Sequence, residues 1–271
     1  MRDSRRWVFG LIGVGVTIAL LVRLGMPLRI TDDTRTVYEL IESLDSTNVV
    51  MISFDHEASS LPEVRPLAQA VVDHCFRREI PVVGLALFSE GTAAGYSLLV
   101  ERSREFNRAY GTDWVYLGFR PQYASAILGM GENIGDVFES DFEGNALDAL
   151  PLSERVHNYG DIDLVISVAD GSMPTYWVEY ARSRYEQRVV GALTAVMVTS
   201  FLPYLESGQL DGILAGLKAA AEYEYLLGQP GAGTRGMDAQ SVAHGIIAVL
   251  IIVGNVQLWL RRRKPDGHNH S

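Results

Sequence analysis

Val49-Val50-Met51-Ile52-Ser53-Phe54, followed by Asp55-His56-Glu57, is the stretch on which the fold turns. It is a short run, apolar except for Ser53, with no polar alternation. That pattern suits a strand covered on both faces, as in a parallel sheet. From about Pro62 the period changes. Val64, Leu67, Ala68, Val71, Val72, Cys75 and Phe76 form one stripe at helical spacing. Val82 to Phe88 then reads as a second buried strand, Gly91 to Tyr110 as a second helix ended by Gly111, and Trp114 to Phe119 as a third strand. Strand, helix and strand in alternation predict a layered α/β domain with a mainly parallel sheet of Rossmann-like type.

The pattern continues less cleanly. Gln122 to Phe138 is glycine-rich and weakly helical, and Asp141 to Asp161 is a polar excursion. Ile162 to Val168 is a fourth strand. Ser172 with Pro174 opens another helix, to about Tyr185. The uncharged run Val189 to Leu205 predicts a fifth strand over Val189–Val198, continuing as a loop or as a segment lying at a membrane surface. A third membrane crossing there would break the charge rule applied below.

Both ends read as membrane segments. Trp7 to Val22 carries no charge, with Arg2, Arg5 and Arg6 before it and Arg23 after it. Extended to Pro27, it reaches the roughly 20 residues that cross hydrocarbon. A cleaved signal peptide is the rival, but no small-x-small cleavage site precedes Arg29. Ala243 to Leu260 is apolar, with Asp238 as its expected N-cap, and Arg261-Arg262-Arg263-Lys264 follows it. A cationic cluster after an apolar run marks a cytoplasmic exit. The expected organisation is an anchor at 1–27, an α/β domain at 28–227, a Gly/Pro linker at 228–238, a membrane helix at 239–264 and a polar tail at 265–271. Both termini are then cytoplasmic and the domain extracytoplasmic.

Composition excludes several classes. The 271 residues carry 23 Lys and Arg against 33 Asp and Glu, a net charge of −10, and contain one cysteine. A disulfide framework is excluded, and an acidic chain argues against general nucleic-acid binding. No GxGxxG follows a strand, and P-loop, GxSxG, HExxH and CxxC motifs are absent from the sequence; the cofactor stays undetermined and no metal-ligand set is assigned.

Ligands of open parallel sheets bind beyond the C-terminal ends of the strands. The loops leaving those ends supply Asp55 and His56, Ser89 and Glu90, Arg120, and Asp170. Together they can bind a polar ligand or a metal. The competing roles are helix capping for Ser89 to Thr92 and for Ser172, a plain polar loop for Asp55 to Glu57, and pairing with an acid for Arg120. The strand–helix–strand run from Val49, with the turn Gly91-Thr92-Ala93-Ala94-Gly95-Tyr96, resembles the signal-peptide-peptidase and Clp-like serine proteases, which place a nucleophilic serine in such a turn. The resemblance covers Val49 to Ser97 and implies a hydrolase with Ser89 or Ser97 as nucleophile.

Gly208, Gly212, Gly216 and Ala220 recur every four residues. On a helix they form a smooth stripe that admits close approach of another backbone. With Asn255 in the second span, they predict association into a homo-oligomer or with other membrane subunits. The functional expectation is a non-enzymatic scaffold or regulatory subunit of a membrane assembly. The alternative is a membrane-anchored enzyme or small-ligand binder using the strand rim.

Overall fold

The computed structural model describes residues 2–22 and 28–263. Arg23 to Pro27 and the tail from Lys264, on which parts of the anchor and tail expectations fall, lie outside them. The chain divides into two compact units, Leu28–Gly233 and Met1–Pro27 with Thr234–Ser271.

In chain order the helices are α1 (Arg2–Leu21), α2 (Asp32–Glu42), α3 (Leu61–Arg77), α4 (Gly91–Glu105), α5 (Tyr123–Glu132), α6 (Ile134–Val137), α7 (Met173–Trp177), α8 (Ser183–Tyr185), α9 (Val198–Glu206), α10 (Gly216–Leu226) and α11 (Ala232–Arg263). A five-residue π turn, Val178–Arg182, joins α7 to α8. The strands are β1 (Val50–Asp55), β2 (Val82–Ala86), β3 (Trp114–Phe119), β4 (Leu164–Ala169), β5 (Val189–Leu193) and β6 (Gly212–Ala215). They form one six-stranded sheet in the order β3-β2-β1-β4-β5-β6, and every pairing is parallel. This is the order of doubly wound dinucleotide-binding sheets, with a topological switch between β1 and β4.

Two-sided burial follows from β1 itself. Successive side chains of a strand point to opposite faces. Val50, Ile52 and Phe54 join one core with Val37, Leu67, Val71, Leu98 and Tyr223. Val49 and Met51 join the other, with Ile127, Met130, Trp177 and Phe201. Helices α2, α3, α4 and α10 contribute to the first core, and α5, α6, α7 and α9 to the second. Cys75 lies in the first core, and burial pushes its thiol up to about 12.

Three expectations are corrected. The uncharged run is strand only to Leu193. It then turns through a 3₁₀ segment, Ala195–Met197, into α9. Its neighbours β4 and β6 have six and four residues, so a ten-residue strand has no partner beyond the rim. Pro203 inside α9 leaves the carbonyl of exposed Thr199 to solvent, where water can satisfy it. The linker is also shorter than expected. α11 begins at Ala232, so Asp238 lies inside it rather than capping it. The carboxylate of Glu224 caps this helix start instead, accepting the Gly231 and Gly233 N–H groups at 2.7 Å each.

The glycine stripe does not exist. Gly208, at φ +72, lies in the turn after α9; Gly212 opens β6, against Val37; and Gly216, at φ +63, opens α10. Spacing by four suits a helix, but here three separate demands produce it. Ala220 is buried on α10 among core residues.

In the other unit, α11 is long and apolar enough to cross a membrane over Ala232–Trp259, with mean hydropathy 1.9. The apolar part of α1, Trp7–Leu21, is shorter. A Cβ on Gly15 of α1 would fall 2.5 Å from Ile246 of α11, and Ala19 is wholly buried.

Gly216→Ala separates the two readings of the glycines by sign. On an unpacked helical stripe it would stabilise by about 0.5–1 kcal/mol. At φ +63, with a Cβ 2.7 Å from Glu63 Oε1, it is expected to destabilise by about 1–2 kcal/mol. Urea unfolding of the full-length protein in mild detergent measures which.

Candidate functional site

The C-terminal rim of the sheet is built from loops that emerge at the ends of β1, β2, β4, β5 and β6. A strand end leaves its next N–H groups without ladder partners, and such donors pair with another acceptor or with water. Here each acceptor is a carboxylate from another segment. Asp55, the last residue of β1, accepts from Leu87 N after β2, at 2.7 Å. Asp170, after β4, accepts from Glu57 N after β1, at 2.9 Å. Glu90, after β2, accepts from Ala58 N at 3.3 Å. Glu63, in the first turn of α3, accepts from Ala195 N after β5, at 2.6 Å. Four loops are thereby stitched together around the switch point.

Asp55 is the centre of this arrangement. It is 2% exposed. Besides Leu87 N, its carboxylate is approached by Ser167 Oγ at 3.3 Å and by Trp177 Nε1 at 3.5 Å. Burial pushes its carboxyl above the usual range, opposed by these donors. His56 is also 2% exposed, and its Nδ1 lies 3.2 Å from the carbonyl oxygen of Glu57. The turn after β2 sits close on β1 because α4 starts with Gly91, where a Cβ would overlap the Phe54 carbonyl oxygen.

The expected residues are therefore only partly assembled. Asp55, His56, Glu90 and Asp170 surround the β1 loop. Ser89 is exposed in the turn before α4. Arg120 leaves β3, two strands and so about 10 Å from β1, and its guanidinium lies over the Phe138 ring at 5.9 Å. The capping roles are corrected. Glu90 is the N-cap of α4 and Ser172 that of α7, but neither side chain bonds to the helix it precedes. The Glu90 carboxylate reaches the β1 loop instead.

The serine nucleophile is not supported by geometry. Ser97 is exposed within α4. Among the described residues no serine hydroxyl is hydrogen-bonded to a histidine. His74, the other buried histidine, lies between Glu42 Oε2 at 2.7 Å and Tyr223 Oη at 2.8 Å. No group of three or more His, Cys, Asp or Glu among the described residues is arranged to hold a metal ion.

Sequence reading missed two parts of the rim. Glu63 looked like an ordinary acidic first-turn residue of α3. Tyr123 and Tyr176, which follow the β3 and β4 loops, stack at 4.2 Å, and Tyr180 lies parallel to Tyr176 at 6.4 Å. The spacing of Tyr176 and Tyr180 by four was the available signal. Gln122, beside this stack, has a left-handed backbone at φ +58, a conformation that costs a non-glycine residue energy. Against known proteins, no family model, curated protein or solved structure matches the chain.

The raised Asp55 pKa has a consequence of definite sign. The folded state holds this proton more tightly than the unfolded chain. Stability is therefore lost as pH rises from the unfolded pKa through the folded one. Asp55→Asn keeps an acceptor for Leu87 N and removes the charge. Its Tm relative to wild type is expected to be higher at about pH 8 than at about pH 4. A difference that stays constant with pH would assign the titration elsewhere.

Proposed function

We propose that the chain is a membrane-tethered binding domain of receptor or regulatory type, whose ligand is a small cationic or hydroxyl-rich molecule held at the acidic rim between β1 and β4. The observation that carries this is the occupation of the rim donors. In doubly wound sheets a phosphate is held by free N–H groups beyond the strand ends and at the helix start. Here the N–H groups of Glu57, Ala58, Leu87 and Ala195 are taken by Asp170, Glu90, Asp55 and Glu63. A phosphate ligand would meet carboxylates where it needs donors. An ammonium or a hydroxyl finds acceptors there, since each carboxylate keeps lone pairs beyond the one engaged.

The tether we infer has two spans. Besides α11, the exposed apolar surface of α1 at Trp7, Phe9, Leu11, Val14, Ile18 and Leu21 suits lipid, and Gly15 allows close packing on Ile246. Arginines at both ends then favour cytoplasmic termini and an extracytoplasmic domain. With the glycine stripe gone, the scaffold role loses its main support.

Thermal-shift measurements on the full-length protein in detergent test the rim. Spermidine, arginine, glucose and inorganic phosphate serve as probes. An amine or the sugar is expected to raise Tm, and Glu90→Gln with Asp170→Asn is expected to weaken that ligand about tenfold, or ~1.4 kcal/mol. A Tm rise with phosphate alone, or a shift indifferent to the double substitution, would overturn the assignment.

A further inference from the structure

The segment Ala195–Glu206 is unusual for a protein surface. It is an apolar helical stretch with no charged residue before Glu206. Within α9 only Phe201 is buried. Val196 is 81% exposed and Leu202 38%. Val198, Leu202 and Leu205 line a cavity of about 130 Å³ together with Ile213 and Ala215, and Thr31, Asp33, Lys218 and Glu222 form its polar edge. Single exposed apolar residues are ordinary, but here Val196 and Leu202 stand on one uncharged segment that also lines an apolar cavity.

The location of this set within Leu28–Gly233 indicates its partner. The chain enters this unit at Leu28, and three residues on, the Thr31 N–H and hydroxyl donate to Glu222 of α10 at 3.1 and 2.6 Å. It leaves at Gly231–Gly233, bonded to Glu224 of the same helix, with Gly233 against Ala220. Entry and exit therefore share one helix, and that helix also borders the apolar cavity. Where the flanking segments cross a bilayer, the flank that carries both junctions is the one closest to lipid.

We propose that the 3₁₀ turn Ala195–Met197 and α9 lie in the bilayer interface, with Val196 and Leu202 among the lipid chains as in monotopic helices. This rests on the membrane-tether reading above, and the experiment separates the two. The full chain is reconstituted into phosphatidylcholine vesicles with single cysteines at Val196→Cys, Ile251→Cys or Asp148→Cys, each carrying an environment-sensitive fluorophore. Cys75 is fully buried with its thiol pushed up to about 12, so it stays unlabelled. Val196 and Ile251 are exposed enough for the substitution to leave the fold intact. Brominated lipid is expected to quench the probe several-fold at 196 and at 251, and to leave the probe at 148 bright. Quenching at 251 without quenching at 196 overturns the interfacial assignment and leaves the tether standing. Quenching at neither site removes both. A probe at 196 that is shielded from water yet unquenched by lipid means a second copy covers α9, which also overturns the proposal.

Discussion

The backbone at the C-terminal ends of a two-sided parallel sheet is the constraint to which the rest of the molecule answers. Strands buried on both faces deliver their last N–H groups to a rim where the ladder has ended. Many sheets of this order leave such groups to a ligand. This one closes them with its own carboxylates, Asp55, Asp170, Glu90 and Glu63. That choice sets the sign of the rim and the chemistry it can accept. It also explains why a buried, unpaired carboxylate at Asp55 is retained despite its desolvation. Its partners are peptide and side-chain donors from three segments, so removing it would orphan the Leu87 N–H as well as relieve a charge.

At the other end of the sheet, carboxylates again meet strand N–H groups, Asp163 at Val49 and Asp211 at Val189, while arginines meet the helix ends. Arg77 donates to the Leu227 carbonyl beyond α10, at 2.6 Å. Arg78 reaches the Leu44 carbonyl beyond α2 through two nitrogens and Glu42 at 3.0 Å. Helix C-termini carry unpaired carbonyls and partial negative charge, which cations satisfy. His74 completes the tie, bridging Glu42 and Tyr223. Burial holds its pKa below the ordinary value, and the Glu42 hydrogen bond opposes the shift. Neutral His74 meets both partners without strain, donating to Glu42 and accepting from the Tyr223 hydroxyl. Asp73 and Arg102 form a further buried pair, between α3 and α4.

What could be read in the sequence divides along the range of the interactions. β1 and α3 were legible because burial on two faces and on one stripe leaves different periods in consecutive residues. Asp55, His56, Glu90 and Asp170 were legible because topology alone sends strand ends to one rim. β6 was not, since four residues with flanking glycines fit a helical spacing as well as a strand. The partner of Ala195 was not legible either: Glu63 lies 132 residues earlier. The reach of Glu90 to Ala58 was hidden by the more local possibility that it caps α4.

The bond between Glu63 and Ala195 joins the proposed ligand rim to the proposed membrane contact. Glu63 belongs to the acidic rim, and Ala195 is the first residue of the apolar segment that leads into α9. Its carboxylate also lies against Gly216 at the start of α10. On the proposed function, a ligand that drew Glu63 toward itself would weaken the hold on Ala195 and so change the free energy of placing Val196 and Leu202. Linkage requires the converse by the same factor: whatever holds α9 in place changes the affinity of the rim. The hydrogen bond at the end of β5 is thus the contact through which the proposed rim ligand and the proposed α9 surface would be coupled.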